Sequence, residues 1–327
     1  MKIRRQCMAF VIFAAFCLTS SVVSFSAEVN SYPQRPIKFV VTYPPGGGTD
    51  IVARTLASAM AKVLGQPVIV DNRAGAGGTI GTNDVAKAKP DGYTILFGTT
   101  AGMIINPLMK KEMPYDPVAD FSPVSLLATT PQILVVNPGL PIKTTQDLIA
   151  YAKQHPGQLN YGSVGIGAPN HIAIEIFKHM TGTDLTHVPY KGAGPVINDL
   201  LGNQVQVTMN PIPPMLSHLK DGKLRALAVT SHSAAAPDIP TIADSGVPGY
   251  EANFWYGVFV PAGTPTPIID KLNATIVNVM GQPDMVRQLT QSGVEPHTTT
   301  PKELREIMKR DTESMREAMR GAGIISQ

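Results

Sequence analysis

The residues whose types and spacing could do chemistry sit in two glycine-rich stretches far apart in the chain. One reads Tyr43-Pro-Pro45-Gly46-Gly47-Gly48-Thr49-Asp50, the other Tyr161-Gly-Ser163-Val-Gly165-Ile166-Gly167-Ala168-Pro-Asn-His171. Several reactive readings fail on spacing. A nucleotide P-loop needs Lys-Ser/Thr after its last glycine, where this chain has Thr49-Asp50. Three consecutive glycines do not give the Gly-x-Gly-x-x-Gly dinucleotide fingerprint. A nucleophile elbow built on Ser163 would need glycine at 161, which is Tyr161, and none of the seven histidines stands in an obvious base role. The histidines also lack ligand spacing, so neither a metal nor a cofactor is expected.

Anion binding survives this elimination. Each stretch is a glycine turn running into an amphipathic helix, and the first amides of a helix have no intrahelical acceptor. They present N–H donors and the positive end of the helix dipole. For the first turn alone, a plain tight connection is an equally good account. Asp50 would repel an anion; it is better explained as a first-turn carboxylate paired with Arg54 one turn on, although recognition of a ligand ammonium or hydroxyl is the functional reading. Ser163 is read as a hydroxyl aimed at a carboxylate oxygen. His171 is a possible ligand donor, but a histidine in a first turn more often caps or packs.

The elements that must position these turns alternate. Ile37–Thr42 reads as a strand, and Ile51–Leu64 as a helix with Val52, Leu56, Met60 and Val63 on one face. Strands at 67–72 and 93–98, with a short helix opening at the glycines 75–81, complete a βαβαβ unit and hence a parallel sheet. A second unit starts near Pro123, with two extended pieces split at Thr129-Thr130-Pro131. It continues through a helix at 145–154, a strand ending at Tyr161, a helix at 172–180 carrying Ile172, Ile176, Phe177 and Met180 on one face, and further strands to Thr230. The chain then returns to the first unit through an extended stretch at 255–261 and a helix at 266–280. Thr300-Pro-Lys-Glu303 is a capping box opening a long charged helix. Phe254-Trp255-Tyr256 reads as core or hinge packing, with a pocket wall as the lesser option.

Composition bounds the rest. Residues 1–27 combine Lys2, Arg4 and Arg5 with an apolar stretch and a small-residue cleavage site, the pattern of a secretory leader. Both cysteines, Cys7 and Cys17, fall inside it, which suits a periplasm and a core large enough to need no disulfide. Processing removes three cations and leaves 24 basic against 24 acidic residues, with no basic stripe, so nucleic acid is not an expected partner. The expected domains are a discontinuous lobe of residues 28–125 plus 232–327 and an inserted lobe of 126–231.

Seven ordered motifs, among them Ala76-Gly77-Gly78-Thr-Ile-Gly81, Lys89-Pro-Asp-Gly-Tyr-Thr-Ile95, His187-Val-Pro-Tyr-Lys-Gly192 and Pro261-Ala-Gly-Thr-Pro265 together with the two glycine turns, span the chain after the leader. Their set closely resembles the periplasmic substrate-binding receptors of tripartite tricarboxylate transporters, the Bug receptor family. The resemblance implies an α/β, two-lobed Venus-flytrap fold of type II-like form, each lobe a mostly parallel sheet flanked by helices. It also implies a non-enzymatic, monomeric receptor that passes a small carboxylate, a dicarboxylate or an aromatic acid, to membrane permease subunits. Carried over residue by residue, it points to Tyr43, Pro45, Gly46, Gly47, Thr49 and Asp50 in the first lobe. Ser163, Gly165, Ile166, Gly167, Ala168 and His171 are their counterparts in the second, with Thr99 and Thr100 at a strand end. Many relatives carry Phe-Asp where this chain has Met209-Asn210, so Asn210 would offer an amide instead of a charge. A sensor kinase as membrane partner and an exported α/β hydrolase using Ser163 are the alternatives.

Overall fold

The computed structural model describes residues 31–325; the expected leader at 1–27 lies outside them. The chain opens with β1 (Ile37–Val41), α1 (Gly48–Leu64), β2 (Val68–Asn72), α2 (Thr79–Ala86) and β3 (Thr94–Thr99). A wide helical turn at Ala101–Ile105 leads into the short α3 (Asn106–Met109), and β4 (Phe121–Thr129) follows. Next come β5 (Gln132–Val136), α4 (Thr145–Gln154), β6 (Asn160–Ser163), α5 (Pro169–Thr181), β7 (Thr186–Pro189), α6 (Ala193–Leu201), β8 (Val207–Pro211), α7 (Pro213–Lys220) and β9 (Arg225–Val229). The chain ends with β10 (Trp255–Pro261), α8 (Thr266–Met280), α9 (Pro283–Gln291), β11 (Glu295–Pro296) and α10 (Pro301–Gly321).

These strands build two sheets, in the orders β11-β4-β10-β3-β1-β2 and β7-β6-β8-β5-β9. The β-branched runs of β1, β2 and β3 pair in parallel, as their helical crossovers require. One interior strand in each sheet is reversed: β10 is antiparallel to both β3 and β4, and β5 to both β8 and β9. The chain enters the second sheet on β5 and returns to the first on β10. Most strands of each sheet run one way, with β5 reversed in the second and β10 and the short β11 in the first, and the architecture is the two-lobed one expected.

The crossings lie further along than the expected boundaries. β4 stays in the first sheet to Thr129, so the chain crosses at Thr130-Pro131, and residue 125 falls inside that strand. On the way back, the stretch after β9 still packs on the second lobe: Val229 bridges Thr241, and the Tyr250 hydroxyl donates to Ala173 O of α5. It returns only at Phe254, whose carbonyl accepts the Thr130 amide at 2.7 Å.

Apolar faces set the layers. Val52, Leu56 and Met60 of α1 are buried with Phe39 of β1 and Leu272 and Ile276 of α8 on one side of the first sheet. Each such side chain contributes about 1.5–3 kcal/mol on burial. Val63 and Met180, assigned to the buried faces by periodicity, are exposed in the last turns of their helices. A second cluster runs from Leu96 and Phe259 through Trp255 to Met308, Met315 and Met319 of α10, and on to Ile172 and Phe177 of α5, so α10 packs on both lobes. Its capping box is present: Thr300 Oγ1 accepts from Glu303 N, and Glu303 accepts the Thr300 amide. Helices α1 and α5 both begin three residues before the positions read from apolar spacing, because their first turns carry Gly48-Thr49-Asp50 and Pro169-Asn170-His171 instead of apolar residues.

Candidate functional site

The first turn leaves the carboxyl end of β1 and folds directly into α1. Gly47 caps the helix without a side-chain bond, and the first intrahelical donor is Ile51 N to Gly47 O at 3.0 Å. The amides of Gly48, Thr49 and Asp50 thus lie ahead of the helical ladder. Asp50 supports this turn from below and is only 3% exposed. Its Oδ2 accepts from Gly46 N at 2.9 Å and from Arg54 Nε at 2.8 Å, and its Oδ1 accepts from Asn72 Nδ2 at 2.9 Å. The Arg54 guanidinium, with these hydrogen bonds, outweighs burial and holds the carboxyl down at about 2. Asn72 arrives through the parallel register that sets Val41 beside it, and its Nδ2 also reaches Tyr43 O at 3.0 Å.

The second turn leaves β6 and enters α5 in the same way. Ala168 caps without a side-chain bond, Pro169 has no N–H, and Ile172 N to Ala168 O is the first helical bond. Ser163 is fully buried, with Oγ 2.6 Å from His187 Nε2 and 3.1 Å from the Gly165 amide, which donates to it. The β6–β7 register places His187 beside Tyr161, where the rings stack. His171 Nδ1 accepts from Gly167 N at 3.3 Å, and its ring lies 4.4 Å from that of His187. Burial, reinforced by His187, pushes the His171 imidazole down to about 4, and burial lowers His187 as well. Both rings are therefore neutral supports of the turn.

Between these turns lies a cleft of about 250 Å³. The first lobe contributes Tyr43, Gly48, Thr49, Thr99 and Thr100; the second contributes Val164, Pro169, Asn170 and Asn210. No Lys, Arg, His, Asp or Glu is among its lining residues. Burial raises the phenols of Tyr43 and Tyr256, with hydrogen bonding from Thr99 and Thr49 offsetting part of the rise, so both stay neutral hydroxyls.

Of the residues expected to face a ligand, the structure brings Tyr43, Thr49, Thr99, Thr100 and Asn210 onto this cleft. Pro45, Gly46 and Gly47 are exposed in the first loop. Gly165, Gly167 and Ala168 are half-buried in the second turn, while Ile166 is 73% exposed and directed to solvent. Asp50, Ser163 and His171 are not among the cleft's lining residues; each supports its turn from within its own lobe, Asp50 through Gly46 and Arg54, Ser163 through His187, and His171 through Nδ1 with Gly167 N. Ser163 Oγ is buried, and His187 stands beside it as an imidazole whose place spacing did not reveal.

Sequence reasoning missed Asn170, Gln132 and the segment Ser292–Val294, and held a pocket wall at Phe254-Trp255-Tyr256 as the lesser option beside packing; all of them line the cleft. Trp255 forms both wall and hinge: its amide donates to Thr100 Oγ1 at 2.8 Å and its indole Nε1 to the buried Asp311 at 3.0 Å. Around the cleft the lobes also approach closely at two glycines. A Cβ on Gly293 would collide with the Pro213 ring of the other lobe, and one on Gly167 would lie 2.9 Å from Sδ of Met109.

Two α/β lobes joined by two crossings, with helix starts from both facing one cleft, define a periplasmic binding protein. Residues 52–323 match the tripartite tricarboxylate transporter family receptor, and the chain belongs to that family. It is similar to BugT of Bordetella pertussis, with 36% identity covering 97% of this chain and 96% of the relative. Among solved structures, R. palustris Rpa4515 with adipate is 38% identical, with a TM-score of 0.80 over 90% of this chain and 99% of that one. MatC from Rhodopseudomonas palustris, with bound malate, is 32% identical, with a TM-score of 0.76 over 88% and 99% of the two chains.

Proposed function

We propose that this chain is a periplasmic receptor that captures a small organic acid between its lobes and delivers it to a tripartite-type membrane permease. The observation that carries this reading is a cleft without ionised side chains onto which the starts of α1 and α5 converge from opposite lobes. An anion there is stabilised by amide donors and helix dipoles, which neutralise charge without a fixed cation. Gly48 N, Thr49 and Thr99 are the first-lobe contacts in this reading, and the first turn of α5 with Asn170 supplies the second.

The size of the cleft supports a small ligand, since it falls below the roughly 300–1,000 Å³ of pockets for drug-sized molecules. Relatives solved with adipate and malate favour the same class. A ligand touching both helix starts stabilises the closed form specifically, because an open form offers it only one of them. The family model supports a tripartite permease as the partner that reads this closed form.

Thermal melting of the chain purified without its leader, against a panel of mono- and dicarboxylates, tests the proposal. A binding acid at a hundredfold excess over its Kd adds about 2.7 kcal/mol of stability and raises the melting temperature. Stabilisation by sugars or cations and by none of the acids would overturn it.

A further inference from the structure

Outside the cleft, the first lobe carries a second concavity, of about 490 Å³, between α10, α3 and the segment that leads into β4. Its volume lies within the roughly 300–1,000 Å³ of small-molecule pockets. The lining is apolar at depth, where Met103, Ile104, Phe121 and Met308 are buried. Pro107, Pro117 and Pro123 add rigid apolar surface, and Val118 stands at the edge with 68% exposure. That edge is held in place. The Asp116 carboxylate accepts the Val118 and Ala119 amides at 2.7 and 3.0 Å, and the Tyr115 hydroxyl donates to Gly102 O at 2.6 Å. The groove is thus preformed.

All its polar lining side chains come from α10: Arg305, Glu306, Lys309, Thr312, Glu313 and Arg316. Among the described residues, none of these five charged groups closes an ion pair or a side-chain hydrogen bond. Every described arginine outside α10, by contrast, donates to a carboxylate or a backbone carbonyl. The free guanidinium groups of Arg305 and Arg316 keep the forked donors that suit an oxyanion. Each residue of an α-helix advances about 100° round the axis, so Thr312, Arg305, Arg316 and Lys309 share an arc of about 60° beside the buried Met308. Glu313 and Glu306 fall about 40–60° further round, on the side away from Met308. The cations therefore border the apolar floor, and the carboxylates stand outside them. From Arg305 to Arg316 the stripe runs roughly 16 Å, long enough for a chain of about ten carbons laid along the helix.

We propose that this groove is a second ligand site, separate from the cleft, which takes a free anionic amphiphile: an apolar chain in the groove and a carboxylate, sulfate or phosphate head at Arg305, Lys309 and Arg316. A cationic head would meet three like charges there, and a neutral one would leave the guanidinium donors unused.

Calorimetry on the chain purified without its leader tests it with decanoate as the probe, beside decyl sulfate, decanol, decyltrimethylammonium and hexanoate. Decanoate and decyl sulfate are expected to bind, and decanol and the ammonium at least tenfold more weakly. Hexanoate should also fall at least tenfold behind decanoate, because each buried methylene tightens binding about fourfold. Arg305→Glu combined with Arg316→Glu reverses the border charge, while Thr312→Trp fills the groove and keeps every charge. Each variant should weaken decanoate at least tenfold and leave the melting temperature of the free protein unchanged. A decanoate affinity unaltered in either variant, or decanoate displaced by adipate, would overturn the second site and leave the receptor reading standing. Decanol or the ammonium binding as tightly as decanoate would overturn the anionic head. Binding to phosphatidylglycerol vesicles without binding of free decanoate would overturn the proposal in favour of a membrane contact.

Discussion

In the first lobe the turn before α1 rests on one ionised carboxylate; in the second, the turn before α5 rests on two neutral imidazoles and a carboxamide. Asp50 gathers Gly46 N, Arg54 and Asn72 around a charge that is compensated inside the lobe. Ser163–His187, His171–Gly167 and Asn170–Val164 do the equivalent work with neutral partners. Two sequences that look alike as glycine turns thus reach similar backbones by different electrostatics. The first is a jaw whose support stays charged in mild acid. The second depends on protonation states that change within an accessible range of pH.

The largest effect is expected from removing the charged support. Asp50→Ala frees the Gly46 amide, Arg54 and Asn72 together, and should cost about 2 kcal/mol in denaturant unfolding. Arg54 is half exposed, which keeps the loss below that of a fully buried pair. A loss no greater than that of an ordinary surface substitution would show that the first turn stands without its carboxylate. A smaller loss, about 1 kcal/mol, is expected from Ser163→Ala, because the Gly165 amide and His187 each lose one neutral partner. If it matched Asp50→Ala, the contrast between the two supports would collapse.

Smallest, but most diagnostic, is the response to acid. The folded His171 imidazole sits at about 4 against an ordinary 6.5, so the unfolded chain binds its proton first as pH falls. The stability it contributes is complete above about 6.5 and is lost progressively down to about 4. Asp50, held at about 2 against an ordinary 3.8, keeps its contribution until pH drops below that ordinary value. Amide exchange should therefore show Gly167 losing protection near pH 4 while Gly46 stays protected. Simultaneous loss at both glycines would contradict the assignment.

Much of the scaffold was legible because it depends on local pattern. The helix stops at Gly65 and Gly182, both left-handed, and the capping box at Thr300 follow from residue type and spacing. The i,i+4 pair of Asp50 with Arg54 was readable for the same reason, whereas Asn72 was not, because only the β1–β2 register brings it there. The place of His187 was hidden likewise: it stands in one of the family motifs, but only strand pairing sets it opposite Tyr161. The Trp255–Tyr256 wall exists because β10 inserts antiparallel between β3 and β4, a choice made by the whole sheet. Helices α7 and α9, absent from the sequence reading, begin at Pro213 and Pro283, where a missing N–H costs a first helical residue nothing.

The two crossings have a consequence for how the molecule can be taken apart. Thr130 N and Phe254 O, the points where the chain leaves and re-enters the first lobe, are 2.7 Å apart, and the first and last described elements, β1 and α10, both lie outside the segment between them. The second lobe is therefore an insert whose entry and exit lie side by side. Adjacent ends are the condition under which one module can be spliced into another without stretching either. Exchanging the segment between those two residues for its counterpart from a relative would transplant that relative's half of the cleft and join the backbone at only two points.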